Sequence, residues 1–368
     1  MLQALSNNPV PAIPPTEGIK YAGSKLKLLP HILALALKVQ ARTVFDGFSG
    51  STRVSQALAQ TGCRVIANDT SAWSKVFAQC YLQNRQPAAY YQTIIDHLNN
   101  LSGIDGWFTK HYGGSPKSPK KPWQIHNTRK LDAIREEIDK LALPEIETSV
   151  LLTSLILAMD EVDSTLGHYA SYLNKWSSRS LKTMKMRVPS LILPKHKHKV
   201  LQEDVLAVCG KVKCDLAYFD PPYGSNNEKM PPSRIRYAAY YHLWTTICLN
   251  DRPALFGKVN RRKDSSDTIA SSVFEDFRKG PSGRFIVVEA IEKLIQSTRA
   301  RYVILSYSSG GRATAQELQE VLEQSGRIRD TITIDHKKNV MAHMRWTNQW
   351  IRQSEQTNKE FLFLLEKI

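Results

Sequence analysis

Asp220-Pro221-Pro222-Tyr223 closes the apolar run Cys214-Asp215-Leu216-Ala217-Tyr218-Phe219. Such a run reads as a buried strand, and a strand that stops at an acid, two prolines and an aromatic ring suits chemistry on a planar amine. Proline fixes φ and has no N–H, so the carbonyls of Asp220 and Pro221 can stand as rigid acceptors. An exocyclic amino group has two hydrogens to donate. The Asp220 carboxylate and the Pro221 carbonyl can take both, and Tyr223 offers a face on which a base can stack. Taken alone, these four residues fit a strand ending in a proline turn better. Their company decides the matter.

Well upstream lies Val44-Phe45-Asp46-Gly47-Phe48-Ser49-Gly50-Ser51-Thr52, which follows an apolar run and precedes a helical pattern through Val54, Ala57 and Leu58. Glycines at a strand-to-helix turn let the backbone approach a cofactor, and the helix start adds free N–H donors. The next apolar run, Cys63 to Asn68, ends at Asp69. An acid roughly 20 residues beyond a glycine turn stands where a Rossmann-like unit places its ribose-binding carboxylate. The turn alone also fits nucleotide-binding dehydrogenases and ordinary strand–helix packing. Thr52 at the third glycine position argues against a pyrophosphate-binding fingerprint.

Ahead of the turn comes Ile19-Lys20-Tyr21-Ala22-Gly23-Ser24-Lys25-Leu26-Lys27-Leu28-Leu29. With this segment first, then the Phe-x-Gly turn, an acid, an intervening region and Asp-Pro-Pro-Tyr, the chain resembles the Dam-type, alpha-order family of adenine-N6 DNA methyltransferases. Tyr240-Tyr241-His242-Leu243 and Val303 to Ser308 resemble late motifs of that family. Two positions depart from the pattern. Tyr21 stands where Trp is common, and Trp244-Thr245-Thr246 follows His242 where an acid is expected. The second departure leaves the role of Tyr240–Thr246 open.

The elements that must position these residues alternate strand and helix from Thr43 to about Gln83, as a parallel sheet requires. From Arg85 to Lys199 the pattern changes. Helices are expected over Trp123–Leu141 and Glu145–Met159, with a loop from Ser102 to Pro122. Alternation resumes at Val200–Asp204, with the strand Leu216–Phe219, helices over Ile269–Phe277 and Arg284–Arg299, the strand Tyr302–Tyr307, a helix over Thr314–Gln324, and closing strands at Thr331–Ile334 and Glu360–Leu365. Met1 to Glu17 reads as loosely ordered, and Gly224 to Arg236 as a loop at the carboxyl end of the catalytic strand. The expected fold is α/β: a Rossmann-like sheet of the S-adenosylmethionine-dependent methyltransferase kind with a largely helical inserted DNA-recognition region. The expected division is 18–84 for the cofactor half, 85–199 for the insertion and 200–368 for the catalytic half.

With 368 residues, 42% hydrophobic and 23% charged, the composition is that of an ordinary globular protein. No run approaches a membrane span, and the N-terminal residues do not read as a secretory signal. Five cysteines at wide spacing give neither a disulfide framework nor a zinc pattern, and the histidines show no metal-ligand spacing, so no metal is expected. A cytoplasmic setting is the expectation. The net charge of +16 favours a polyanionic partner. No acid lies between Asp105 and Asp132, nor between Asp163 and Glu203, while lysines and arginines recur in both stretches. Lys120, Lys121, Arg179, Lys182, Lys185 and Arg187 are therefore the candidate DNA contacts. Arg179 and Arg187 are the candidate base readers, with packing or phosphate contact as the alternative. His196 and His198, among lysines, read as solvated or phosphate-facing, and Arg252 to Lys263 as a phosphate-facing or solvated loop. The aromatics Trp107, Tyr112, Trp123, Tyr169, Tyr172 and Trp176 read mostly as core.

The resemblance implies S-adenosylmethionine as cofactor and double-stranded DNA as partner, with a monomer as the working expectation. It implies that Tyr21 and Lys25 contact the methionine end of the cofactor, with Phe45, Asp46, Gly47, Phe48, Ser49 and Gly50 lining the same end. Asp69 would accept from the ribose hydroxyls. Asp204 would touch the adenine ring, or alternatively cap the helix starting at Val205. Asp220, Pro221, Pro222 and Tyr223 would be catalytic, with Asp220 also counted among the cofactor contacts. The rival readings are an RNA adenine or cytosine-N4 DNA methyltransferase, a non-catalytic nucleic-acid-binding protein on the same fold, and a nucleotide-dependent oxidoreductase. Asp in place of Ser or Asn at position 220 favours adenine.

Overall fold

The computed structural model describes residues 13–115, 117, 121–173, 175–224, 236–336 and 358–368. The chain divides into two compact units. One comprises residues 1–204 and 238–270, the other 205–237 and 271–368. Residues 238–270 thus group with the first unit, although the sequence placed them in the catalytic half. Each unit is a mixture of strands and helices.

In the first unit, strands β1 (Thr43–Asp46), β2 (Arg64–Asn68) and β3 (Lys199–Leu201) lie parallel in that order. Phe45 pairs with Ile66 and Asn68 with Leu201. Helix α1 (Leu29–Lys38) precedes β1, and α2 (Arg53–Gln60) joins β1 to β2. Between β2 and β3 run α3 (Ala72–Ala78), α4 (Ala88–Asn100), α5 (Trp107–Tyr112), α6 (Ile125–Lys140) and α7 (Glu145–Glu161). Helices α4 to α7 thus fall between Arg85 and Lys199, while the described residues from Val162 to His198 form only a 3-10 turn, Ser178–Leu181. Helix α7 is buried without interruption from Ser149 to Asp160, the mark of a helix surrounded by protein. Among the described residues, no helix is long and apolar enough to cross a membrane.

Two local expectations for this unit are corrected. The stretch Ser102–Pro122 was expected to be loop but contains α5. Asp132 on α6 accepts from the backbone N–H of Phe108 at 2.9 Å and Thr109 at 2.8 Å, capping α5 from another helix. A cap supplied from so far along the chain leaves no local signal. Thr16 and Glu17 are pinned, not loose: the Arg53 guanidinium donates to the Thr16 carbonyl at 2.6 Å, and the Gln56 amide donates to the Glu17 carbonyl at 2.8 Å. Residues 1–12 lie outside the described residues.

Helix α8 (His242–Leu249) also belongs to the first unit. Buried Arg135 of α6 donates to the carbonyls of Ile247 at 2.7 Å and Cys248 at 3.2 Å, which satisfies two acceptors at the end of α8. Within the basic loop Arg252–Lys263, Arg262 is buried between Asp251 and Asp264, each at 2.7 Å. Arg262 is a structural residue, not a phosphate-facing one.

In the second unit the strand order is β6-β7-β5-β4: β4 (Leu216–Phe219), β5 (Tyr302–Ser308), β6 (Gly326–His336) and β7 (Asn358–Lys367). β4 and β5 are parallel, while β7 is antiparallel to both β5 and β6. Helix α9 (Ile286–Ser297) buries Val287, Ile291, Leu294 and Ile295 at helical spacing. Helix α10 (Ala315–Ser325) starts in a capping box of Thr314 and Glu317. The helix expected over Ile269–Phe277 is replaced by a single 3-10 turn, Val273–Glu275. Ile269 is 61% exposed and Val273 43%, so Phe274 is left without the apolar face a helix would need. The Ser272 hydroxyl accepting from the Phe274 N–H offers the backbone a local alternative.

Candidate active site

In the first unit, β1 ends at Asp46 and the chain turns through Gly47–Thr52 into α2. The turn is held by Asn68 at the end of β2. The Asn68 side-chain amide donates to the carbonyls of Gly47 at 3.2 Å and Glu203 at 3.1 Å, and its carbonyl oxygen accepts from the Glu203 N–H. The Ser49 N–H donates to the Asn68 carbonyl at 2.9 Å. Asn68 therefore ties the glycine turn to the end of β3. Sequence reasoning missed it, because an asparagine ending an apolar run looks like any strand terminus.

Asp69 follows. One carboxylate oxygen accepts from the Gly50 N–H and the other from the Ser71 N–H, each at 2.9 Å. The Ser71 hydroxyl and the Thr70 N–H also act on this carboxylate, an acceptor group placed beside the glycine turn. Burial pushes the Asp69 carboxyl above its ordinary range, against the pull of the Ser71 and Gly50 N–H groups. Gly50 has φ +46, and a Cβ there would stand 3.0 Å from the Tyr21 hydroxyl oxygen and 3.2 Å from Cζ of the same ring. Tyr21, Gly50 and Asp69 thus form one cradle, shaped by the absence of a side chain at position 50. That geometry fits a nucleoside-bearing cofactor.

Tyr241 completes this cluster. Its ring stacks on Tyr21 at 4.9 Å with an interplanar angle of 26°, lies 5.5 Å from Trp73, and its hydroxyl oxygen accepts from the Ala22 N–H at 2.7 Å. This gives Tyr240–Thr246 a role: Tyr241 fixes the Tyr21 segment. Tyr240 stacks on His168 at 4.3 Å, and the His242 ring faces the Tyr169 carbonyl at 3.3 Å. Burial lowers the His242 pKa to about 3, so the ring is neutral. Of the other expected cofactor residues, Lys25 is 7% exposed, Asp46 is buried with the Ser55 hydroxyl donating to it at 2.6 Å, and Ser49 is buried against Ser74. Phe45 and Gly47 are buried, Phe48 is half-buried, and Asp204 is exposed just before the one-turn helix Val205–Val208. The Phe45 side chain belongs to the core, which leaves only its backbone to line a ligand.

In the second unit, β4 ends where the sequence expects and delivers Asp220, Pro221, Pro222 and Tyr223. The Tyr223 hydroxyl donates to Asp220 Oδ1 at 2.6 Å, with Glu360 Oε2 at 3.2 Å. Burial, then the Asp220 and Glu360 carboxylates, push the phenol well above its ordinary range, so it stays a donor. The Tyr223 carbonyl accepts from the Tyr307 hydroxyl at 2.9 Å and the Arg312 N–H at 2.8 Å. The Tyr307 ring lies 4.8 Å from that of Tyr223. Gly311 packs so tightly on Tyr307 that a Cβ there would come within 2.4 Å of the ring. The segment Val303–Ser308 thus supplies the tyrosine that holds the Asp220–Tyr223 turn. Of the loop Gly224–Arg236, residues 225–235 lie outside the described residues.

The candidate DNA contacts separate into two groups. Arg179 donates to Asp163 Oδ1 and to the carbonyls of Asp163 and Thr165, each at 2.8 Å, and Asp163 is wholly buried. Arg187 pairs with Glu17, and Lys121 donates to the His111 carbonyl. Lys182 and Lys185 are exposed. Lys120 lies outside the described residues. His198 is not solvated: its Nδ1 accepts from the Val65 N–H at 3.0 Å, and burial brings its pKa down to about 4. Trp123 and Tyr169 are buried, as expected of core aromatics. Among the described residues, no cluster of His, Cys, Asp or Glu could hold a metal ion.

Comparison with known proteins adds a family. The model of the D12 class N6 adenine-specific DNA methyltransferases matches residues 21–303. The chain is 29% identical over 325 residues to modification methylase StsI of Streptococcus sanguinis, covering 83% of this chain and 46% of that protein. It is 25% identical over 329 residues to type II methyltransferase M.NlaIII of Neisseria lactamica, covering 87% and 92%. Against type II methyltransferase M.FokI of Planomicrobium okeanokoites the identity is 24% over 366 residues, covering 95% and 53%. The chain therefore spans about half the length of two of these relatives and nearly all of the third. A solved structure, a putative class I S-adenosylmethionine-dependent methyltransferase from Listeria monocytogenes, covers 93% of this chain and 58% of its own at 10% identity, with a TM-score of 0.32.

Proposed function

The chain belongs to the D12 class of N6 adenine-specific DNA methyltransferases, and from that premise we propose that it methylates the exocyclic amine of a target adenine in duplex DNA as a site-specific modification enzyme. The observation that carries this reading is the Asp220–Tyr223 turn, rigid at its prolines and fixed through the Tyr223 carbonyl by Tyr307 and Arg312. The adenine amine is a poor nucleophile because its lone pair is delocalised into the ring. Accepting both amine hydrogens on Asp220 and the Pro221 carbonyl favours a tetrahedral nitrogen with its lone pair projecting. This is positioning and electrostatics at a centre that develops positive charge. A base within a duplex is out of reach, so the target adenine flips and stacks on Tyr223.

S-Adenosylmethionine, when bound, supplies a methyl group made electrophilic by its sulfonium. On this reading Asp69 accepts from the ribose hydroxyls, and the Lys25 ammonium faces the cofactor carboxylate. Tyr21 and the turn Phe45–Gly50, including Asp46, Phe48 and Ser49, line the methionine end, with Asp204 toward the adenine ring and Asp220 nearby in role. The cradle of Tyr21, Gly50 and Asp69 supports this assignment. The strand arrangement is read as a Rossmann-like methyltransferase sheet, and the stretch 85–199 as the source of target recognition, with exposed Lys182 and Lys185 on phosphates. All five cysteines are buried, and a cytoplasmic setting remains part of this reading.

The test is to sequence modified bases in DNA from a host expressing the chain, beside a host expressing Asp220→Ala. We expect N6-methyladenine in one sequence context with the native chain and none with the variant. Methylation elsewhere than on adenine N6, or undiminished methylation with Asp220→Ala, would overturn the reading.

A further inference from the structure

The Tyr223 hydroxyl has one hydrogen and faces two carboxylates. It donates to Asp220 Oδ1 at 2.6 Å, and Glu360 Oε2 stands 3.2 Å away. Glu360 arrives from β7, where its register partner is Ser308 at the end of β5, one residue beyond Tyr307. The sheet therefore brings this acid to the catalytic turn from far along the chain. The proposed reaction does not otherwise use it.

The bond to Asp220 creates a conflict. A phenol is a stronger hydrogen-bond donor than an aromatic amine, so a hydroxyl aimed at Oδ1 weakens that oxygen as an acceptor for adenine. The conflict is resolved by moving only a hydrogen. The phenolic hydrogen turns about its C–O bond while the Tyr223 backbone stays held through its carbonyl by the Tyr307 hydroxyl and the Arg312 N–H.

We propose that Glu360 is a positioning residue for methyl transfer, taking over the Tyr223 hydroxyl hydrogen bond when the target amine comes to Asp220. The inference rests on the reading of Asp220 as the amine acceptor. Glu360 receives the hydroxyl and leaves Asp220 Oδ1 to the adenine hydrogen. No covalent bond is made or broken in the hand-over: one hydrogen bond to Asp220 is exchanged for one to Glu360, and the phenol stays protonated. Without Glu360, the amine must compete with the hydroxyl for Asp220.

A double-mutant cycle tests this on the full chain, with tritiated S-adenosylmethionine and unmethylated genomic DNA. Glu360→Ala in the native background should lower kcat at least about tenfold, the worth of one hydrogen bond to a charged group, while affinity for S-adenosylhomocysteine is kept. In the Tyr223→Phe background the same Glu360→Ala change should have no further effect on kcat. Glu360→Gln, which keeps an acceptor oxygen, should recover part of the rate that Glu360→Ala loses. An equal loss in both backgrounds, or no loss in the native one, overturns the proposal. Should Glu360→Ala not fold, Glu360→Met, of similar length but without an oxygen acceptor, carries the same comparison. Asp220→Ala separates the two levels. An active Asp220→Ala enzyme removes the underlying site reading, whereas an inactive one beside a full-rate Glu360→Ala enzyme removes this inference alone.

Discussion

Replacing Gly50 with alanine puts a methyl group where the structure holds the ring of Tyr21. Two costs arise. The residue has φ +46, and an L-residue in the left-handed region pays about 1–2 kcal/mol. In addition, the new Cβ would lie 3.0 Å from the Tyr21 hydroxyl oxygen and 3.2–3.3 Å from ring carbons, so the ring must yield by a few tenths of an ångström. It has little room to do so, being stacked on Tyr241 at 4.9 Å and packed 5.7 Å from Trp73. Gly62→Ala is the internal control: φ is +97 there, but nothing lies within 4 Å of the added methyl, so it reports backbone strain alone. Both variants should melt a few degrees lower. Only Gly50→Ala should also weaken S-adenosylhomocysteine binding, about 5- to 30-fold if displacement of Tyr21 costs ~1–2 kcal/mol of binding energy. Calorimetry with the cofactor product, beside thermal melts of both variants, makes the comparison. Equal cofactor affinity in Gly50→Ala and Gly62→Ala would refute the cradle and reduce the glycine turn to a packing device.

Lys25→Ala and Asp69→Ala should each weaken cofactor binding more than DNA binding, by calorimetry against S-adenosylhomocysteine and by gel shift; unchanged cofactor affinity in both sinks their assignment. Neutralising Lys182 or Lys185 should weaken binding alike on all DNA sequences and lower the salt slope by about one unit for each phosphate no longer neutralised. Arg179→Ala should instead lower the melting temperature, because Asp163 is buried and would be left without the bonds that Arg179 makes to it at 2.8 Å; a salt-slope change with no change in stability contradicts that view. Exchanging residues 85–199 with the corresponding stretch of a relative of different specificity should move the methylated site with the insertion, and a site that stays behind counts against recognition by that stretch.

Local signals were legible in the sequence wherever the physics is local. The strand Leu216–Phe219, the turn after Phe45 and Asp69 at the end of β2 all follow from runs of apolar residues broken by polar punctuation. What escaped was supplied from a distance. Helix α5 exists in an apparent loop because Asp132 caps it from α6. Asn68 fastens the glycine turn through bonds to Gly47 and Glu203 that no spacing rule would suggest. Tyr241 and Tyr307 sat in motifs noted for resemblance alone, and their roles came from geometry: one hydroxyl accepts from the Ala22 N–H, the other donates to the Tyr223 carbonyl.

Charge was the most easily misread signal, because a sequence shows a cation's neighbours in the chain and not its partners in space. The stretch from Asp163 to Glu203 contains no acid between its ends, yet Arg179 folds back on Asp163 at its edge and Arg187 reaches Glu17. Arg262, in the later basic loop, is enclosed by Asp251 and Asp264. All three are arginines, whose planar fork suits several acceptors at once, whereas the exposed Lys182 and Lys185 carry point charges on long stems. A phosphate backbone needs only such point charges to set register. Between Asp163 and Glu203 the exposed charge thus includes Lys182 and Lys185, while Arg179 and Arg187 each meet an acid within the fold.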